Sequence, residues 1–244
     1  MLAKDNSSKR YRKGETTIHL GNSPVCTRFD MKPLNGLIFE TYKNGQLRKE
    51  INYRDGYLDG FTRIWYENGC LEYECTFKKT ALITTRHWYA SGQLKYVKNH
   101  FSSSLSKYVG LVQHWYEDGR LKSEANYKIG KKNGLCKDWY KGGQLKYEWN
   151  YKEGELNGVS KSYFENGRLN TENNYKEGKL DGLAKFWLEK GQLKSECNYK
   201  EGELNGVFTT YYENGRLQSE ANYKKGVLIS KKCFDYFGRP ENCK

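Results

Sequence analysis

The chain has 244 residues, a formal net charge of +13, 21 Tyr and 6 Trp, yet a mean hydropathy of −0.96. No run approaches the ~18 apolar residues of a spanning helix, and the start, Met1-Leu2-Ala3-Lys4-Asp5-Asn6, lacks the apolar segment of a signal peptide. An aromatic content of 15% argues against long disorder. The expectation is a folded protein of the cytoplasm, or of a particle assembled there, neither secreted through a signal peptide nor transmembrane.

Residues 1–33 come first and carry seven basic and three acidic residues, which marks a basic N-terminal cap with Arg10, Arg12 and Lys13 as candidate contacts. From about residue 34 a period takes over. A glycine three residues after an aromatic or its substitute recurs at Gly45, Gly69, Gly92, Gly119, Gly143, Gly167, Gly191 and Gly215, at intervals of 24, 23, 27, 24, 24, 24 and 24. These are eight units. Tyr163-Phe164-Glu165-Asn166-Gly167-Arg168-Leu169 and Tyr211-Tyr212-Glu213-Asn214-Gly215-Arg216-Leu217 are nearly one word, and Tyr151 to Gly158 repeats as Tyr199 to Gly206.

Asn-Gly at 44–45, 68–69, 166–167 and 214–215 is a strong hairpin signal, and it predicts a turn with both central residues at positive φ. A leucine stands two residues past each of these glycines, and a period of two follows it. In Leu121 to Tyr127, the residues Leu121, Ser123, Ala125 and Tyr127 share one face, and Lys122, Glu124 and Asn126 the other. The preceding strand opens with Gly at 36, 60, 110, 134, 158, 182 or 206 and ends in an aromatic pair such as Trp65-Tyr66 or Trp139-Tyr140. Aromatics suit a pleated, half-buried surface. The fold class is therefore all-β: an elongated single-layer antiparallel β-meander, in which each hairpin of about 24 residues covers its neighbour. The organisation expected is a cap over 1–33, eight hairpins over 34–228, and a degenerate ninth repeat or C-terminal cap over 229–244.

These units resemble MORN-repeat variants of the kind found in YwqK-type antitoxin proteins and in large DNA viruses; the resemblance rests on Tyr-x-Asn-Gly-x-Leu and Tyr-Lys-x-Gly-x-Leu-x-Gly and covers about 34–228. It implies a MORN-like solenoid that scaffolds other proteins, with lipid contact as a further association of the family. It also implies, as an alternative, an antitoxin or immunity protein that masks a toxin.

The third unit breaks the pattern: Ile83 stands where glycine is expected, Val97 replaces Glu, and His100 takes an aromatic slot before Phe101-Ser102-Ser103-Ser104-Leu105-Ser106. Phe101, Ser103 and Leu105 are a candidate specificity element, or a tolerated surface insertion. His87 and His114 hold equivalent positions on strands two apart, ~9.6 Å, which is too far for one metal ion, so no metal or other cofactor is expected. Glu124, Glu148, Glu172, Glu196 and Glu220 recur once per unit and read as a charge ladder paired across strands with Lys. No nucleophile–His–acid set or phosphate loop appears, so the reading is not an enzyme.

Candidate partner-binding residues are Trp65, Trp88, Trp115, Trp139 and Trp187, large anchors for another protein, unless they serve packing between units. Residues 224–244 hold six basic and two acidic residues. Lys224, Lys225, Lys231 and Lys232, with the N-terminal basic residues, could touch an acidic partner or anionic lipid, or simply guard sheet edges. Specific reading of nucleic acid is not expected. The sequence leads to a non-catalytic interaction or structural scaffold, possible within a larger assembly such as a virion, with antitoxin and peripheral membrane adaptor as alternatives. Seven cysteines show no C-x-x-C spacing; whether Cys233 and Cys243 pair stays open.

Overall fold

A computed structural model describes residues 10–12, 16–20, 24–28, 33–100 and 110–243. It divides into two compact units, Met1–Leu121 and Lys122–Lys244. Among the described residues every regular element is a strand.

In the first unit, β1 (Arg10–Arg12) lies parallel to β4 (Gly36–Thr41), while β2 (Thr16–Leu20) and β3 (Pro24–Arg28) form a separate hairpin. From β4 onward, β5 (Leu47–Arg54), β6 (Tyr57–Trp65), β7 (Leu71–Lys78), β8 (Ala81–Trp88), β9 (Leu94–Asn99) and β10 (Gly110–Trp115) pair antiparallel in chain order. The second unit continues the pattern from β11 (Leu121–Lys128), whose first residue lies at the boundary. It runs through β12 (Lys131–Trp139), β13 (Leu145–Lys152), β14 (Glu155–Leu156), β15 (Gly158–Tyr163), β16 (Leu169–Lys176) and β17 (Lys179–Trp187). It ends with β18 (Leu193–Lys200), β19 (Glu203–Tyr211), β20 (Leu217–Lys224), β21 (Val227–Phe234) and the short β22 (Pro240–Glu241). The architecture is the expected all-β hairpin meander.

The turns correct one expectation. At Tyr42-Lys43-Asn44-Gly45 only Gly45 has positive φ, +85°. Gly45 N–H donates to the Tyr42 carbonyl at 3.0 Å, and Tyr42 N–H donates to the Gln46 carbonyl at 2.8 Å. This is a type I turn followed by a left-handed glycine, not the two-residue mirror-image turn. Asn44 stays right-handed because its Oδ1 accepts the Gln46 N–H at 3.0 Å. The mirror-image turns sit instead at the other end of each hairpin: Asp55 and Gly56 (φ 52° and 80°), Glu153 and Gly154 (53° and 93°), Glu201 and Gly202 (54° and 90°). Glutamate carries no intrinsic preference for that region. There the preceding repeat holds the turn: Gly154 N–H donates to the Lys132 carbonyl at 2.9 Å, and Glu153 N–H to Asn133 Oδ1 at 3.3 Å.

Strand-opening glycines explain the repeat length. Between β16 and β17, Asn173 pairs with Ala184 and Tyr175 with Leu180, a bulge of two extra residues. Gly182 lies within it at φ +107°, and Asn174 Nδ2 donates to the Leu183 carbonyl at 2.7 Å. Where Ile83 replaces glycine, Thr76 pairs with Thr84 and Phe77 with Leu82, a bulge of one. Around Ile229, Asn222 pairs with Ser230 and Tyr223 with Leu228, again a bulge of one. The 23-residue interval from Gly69 to Gly92 is thus a missing glycine and a missing residue together.

Burial concentrates on one face, although Glu50 and Thr209 are buried on the other. Down the middle of the second unit, Ala125, Cys136 and Trp149 are successive cross-strand neighbours, as are Ser160, Asn173, Ala184, Cys197, Phe208 and Ala221. Mostly small, this column includes the buried Cys136, Ser160, Ala184, Cys197 and Ala221. Among the described residues, the buried free cysteines Cys75, Cys136 and Cys197 fill such positions as small apolar groups. Burial raises each thiol's pKa, keeping it protonated.

Candidate interaction face

The opposite face carries three columns. Alternation along β15 sends Val159, Lys161 and Tyr163 to one side; β12 and β17 repeat this with Leu135, Lys137, Trp139 and Leu183, Lys185, Trp187. β19 gives Val207, Thr209 and Tyr211. Each strand thus presents an aliphatic group, a central group that is Lys in three of the four, and an aromatic.

The central column is the expected charge ladder. Glu124, Lys137, Glu148, Lys161, Glu172, Lys185 and Glu196 follow one another in register. Lys137–Glu148, Lys161–Glu172 and Lys185–Glu196 are 3.5, 3.2 and 3.8 Å apart. In the first unit Glu74 takes both Arg63 (2.7 Å) and Arg86 (3.0 Å). The aromatic column adds donors: Tyr163 Oη donates to Glu148 at 2.9 Å and Tyr211 Oη to Glu196 at 3.0 Å. Burial, with the Glu148 carboxylate second, pushes the Tyr163 hydroxyl up to about 12.

The five candidate tryptophans are all half-buried, and those in the second unit flank the charge ladder. The carbonyls of Trp65, Trp88 and Trp115 take part in a latch between repeats: Tyr42 Oη donates to Trp65 O at 2.6 Å, and Tyr66 to Trp88 and Tyr89 to Trp115 at 2.9 Å; Tyr140 Oη donates likewise to the Tyr163 carbonyl at 2.8 Å. The aliphatic column is more open. Leu135, Val159, Leu183 and Val207 keep 38%, 38%, 36% and 39% of their surface, with Asn150, Asn174 and Asn198 interleaved. The signal in the sequence is an aliphatic residue directly after each of the strand-opening glycines Gly134, Gly158, Gly182 and Gly206.

Other candidates fall elsewhere. Phe101, Ser103, Leu105 and Lys13 lie outside the described residues. Arg10 is paired with Glu50. Arg12, Lys224, Lys225, Lys231 and Lys232 are exposed, the four lysines around Val227, Leu228 and Ile229, which are 62%, 48% and 63% exposed. Cys233 and Cys243 form a disulfide that ties the end of the chain to β21. Tyr96 stands between His87 and His114, with ring centroids 5.5 and 4.9 Å away, so the histidines belong to a cross-strand aromatic stack with Tyr73. His100 Nε2 lies 3.2 Å from Thr85 Oγ1. Among the described residues no group of three or more His, Cys, Asp or Glu is placed to hold a metal, and no helix is long and apolar enough to cross a membrane.

Short hairpins repeated in register, several of them latched to the next by a tyrosine hydroxyl, define a β-hairpin repeat protein. Residues 34–55, 58–79, 108–128, 132–153, 156–177, 180–201 and 204–225 match the MORN repeat variant, more than half of the chain, and the chain belongs to that family. The matched stretches leave out residues 80–107, which contain the broken third unit. Repeats of this kind are generally modules for protein or lipid interaction. A search of curated proteins gives no significant match. Among solved structures the chain is similar to the crystal structures of TcdB2-TccC3-Cdc42 and TcdB2-TccC3, each at 12% identity over 83% of this chain and 16% of the other, with TM-scores of 0.16 and 0.15. The chain thus spans about a sixth of those chains, and a likeness at this level carries no argument about function.

Proposed function

We propose that the protein is a non-catalytic scaffold whose repeats bind another protein through the face of aliphatic, charged and aromatic columns. The observation that carries this reading is the line of Leu135, Val159, Leu183 and Val207, each more than a third exposed. One exposed aliphatic is ordinary; the same position left open in four successive repeats is a surface kept apolar by the repeat itself. The neighbouring Lys–Glu ladder neutralises itself, so approach of an apolar partner does not strand a lone charge. The half-buried Trp139 and Trp187 supply anchors beyond the ladder. In this reading residues 34–228 are the working array, and 1–33 and 229–244 are its ends.

The test is paired capture from the native source with the wild-type chain and the variant Leu135→Asn, Val159→Asn, Leu183→Asn, Val207→Asn. The wild type should recover one protein in fixed ratio and the variant should lose it. Equal recovery by both, or no fixed partner, contradicts the reading.

A second reading, contact with an anionic membrane, is favoured by Val227, Leu228 and Ile229 exposed among Lys224, Lys225, Lys231 and Lys232. It predicts salt-sensitive sedimentation with vesicles containing phosphatidylserine, and lack of sedimentation at low salt sinks it.

A further inference from the structure

The first unit holds a contact that the repeat pattern does not require. β1 is three residues long and lies parallel on the outer edge of β4, with Arg10, Tyr11 and Arg12 opposite Leu37, Ile38 and Phe39. Its side chains enter a seat on the array. Tyr11 and Tyr53 pack against Leu34 and Ile38, which are 0% and 7% exposed. The Arg10 guanidinium pairs with Glu50 and lies 5.4 Å from the centre of the Phe39 ring. Glu50 is itself 6% exposed, and a carboxylate that deep needs a cation beside it.

The same edge therefore offers three recognition elements: the backbone of β4 that β1 pairs, an apolar seat for one aromatic ring, and a buried carboxylate with a ring for a guanidinium. We propose that the β4 edge is a strand-addition site that reads a basic–aromatic–basic segment, and that Arg10–Arg12 occupies it in cis as a built-in competitor. The partner it fits is an extended segment of another protein with Arg-aromatic-Arg chemistry. A three-residue strand is short enough to open readily. When it opens, Glu50 loses its Arg10 counter-charge, which favours refilling by a like segment.

The probe is a synthetic peptide with the sequence of residues 6–14, titrated into the isotope-labelled full-length chain and read by backbone amide shifts. In the variant Arg10→Glu, Tyr11→Ser, saturable shifts are expected at Leu37, Ile38 and Phe39. The wild type should bind about tenfold more weakly because its own arm must leave first, and peptide excess should then move the amides of Arg10–Arg12. A peptide with glutamate in place of its first Tyr-flanking arginine should give no response, and adding Glu50→Gln to the arm variant should abolish binding. The wild-type displacement arm stands even if the arm variant misfolds. Absence of β4 shifts with the arm amides unmoved, or an equal response to the charge-reversed peptide, overturns the proposal.

Discussion

Asn174 lies so closely over Gly182 that a Cβ added at 182 would stand 3.2 Å from the Asn174 Cβ. The same glycine holds φ at +107°. Gly182→Ala therefore meets both backbone strain and a crowded neighbour, and is expected to destabilise the second unit by about 1–3 kcal/mol. Gly167→Ala, at φ +81° with nothing within 4 Å of its Cβ, meets strain alone and should cost less. Urea midpoints of the two variants check the order; equal midpoints would show that the close approach is unimportant.

The tyrosine latch is interrupted at Phe164, the counterpart of Tyr140 one repeat later. Tyr140→Phe removes the donor to the Tyr163 carbonyl and is expected to cost about 0.5–1.5 kcal/mol. Phe164→Tyr should place a new hydroxyl beside the Trp187 carbonyl and raise stability by a fraction of that. Thermal melts in which Phe164→Tyr is destabilising would contradict the account.

Much of this was legible in the sequence, because a repeat states each structural demand several times over. Strand boundaries, the Lys–Glu ladder and the glycine turns all follow from periods of two and 24. The type of the Asn-Gly turn was not legible, because Asn-Gly fits both a mirror-image turn and a type I turn with a left-handed glycine. What decided between them is the Asn44 side chain capping its own turn. Contacts that occur once left no such signal: β1 on β4, Tyr96 between His87 and His114, and the disulfide of Cys233 with Cys243 depend on how separate segments meet.

Glu74 joins Arg63 and Arg86 with its carboxylate only 13% exposed. Glu74→Gln leaves two guanidinium groups close together over a half-buried strand. The expected loss is about 1–3 kcal/mol, larger than for an exposed pair such as Lys190–Glu213. Comparison with Glu213→Gln by denaturant titration checks this, and equal losses would show the Glu74 site to be as well screened as the surface.

Burial is the main cause that lowers the pKa of His87 and of His100 below 6.5, with Lys95 and Lys98 respectively adding to it. The unfolded chain then takes up these protons first. Stability of the first unit is full above about pH 6.5 and declines as pH falls through that value toward the lower folded pKa. The double variant His87→Phe, His100→Asn should flatten the melting temperature between pH 7 and about pH 5. An unchanged slope would assign the pH dependence to other groups.

The central claim, that the aliphatic column is the protein-binding surface, is tested most directly by hydroxyl-radical footprinting of the chain alone and bound to its captured partner. The account predicts lower oxidation at Leu135, Val159, Leu183 and Val207 in the complex, with the exposed lysines Lys224 and Lys225 beyond the column unprotected. Unchanged oxidation of the four aliphatics, with protection elsewhere, would contradict it.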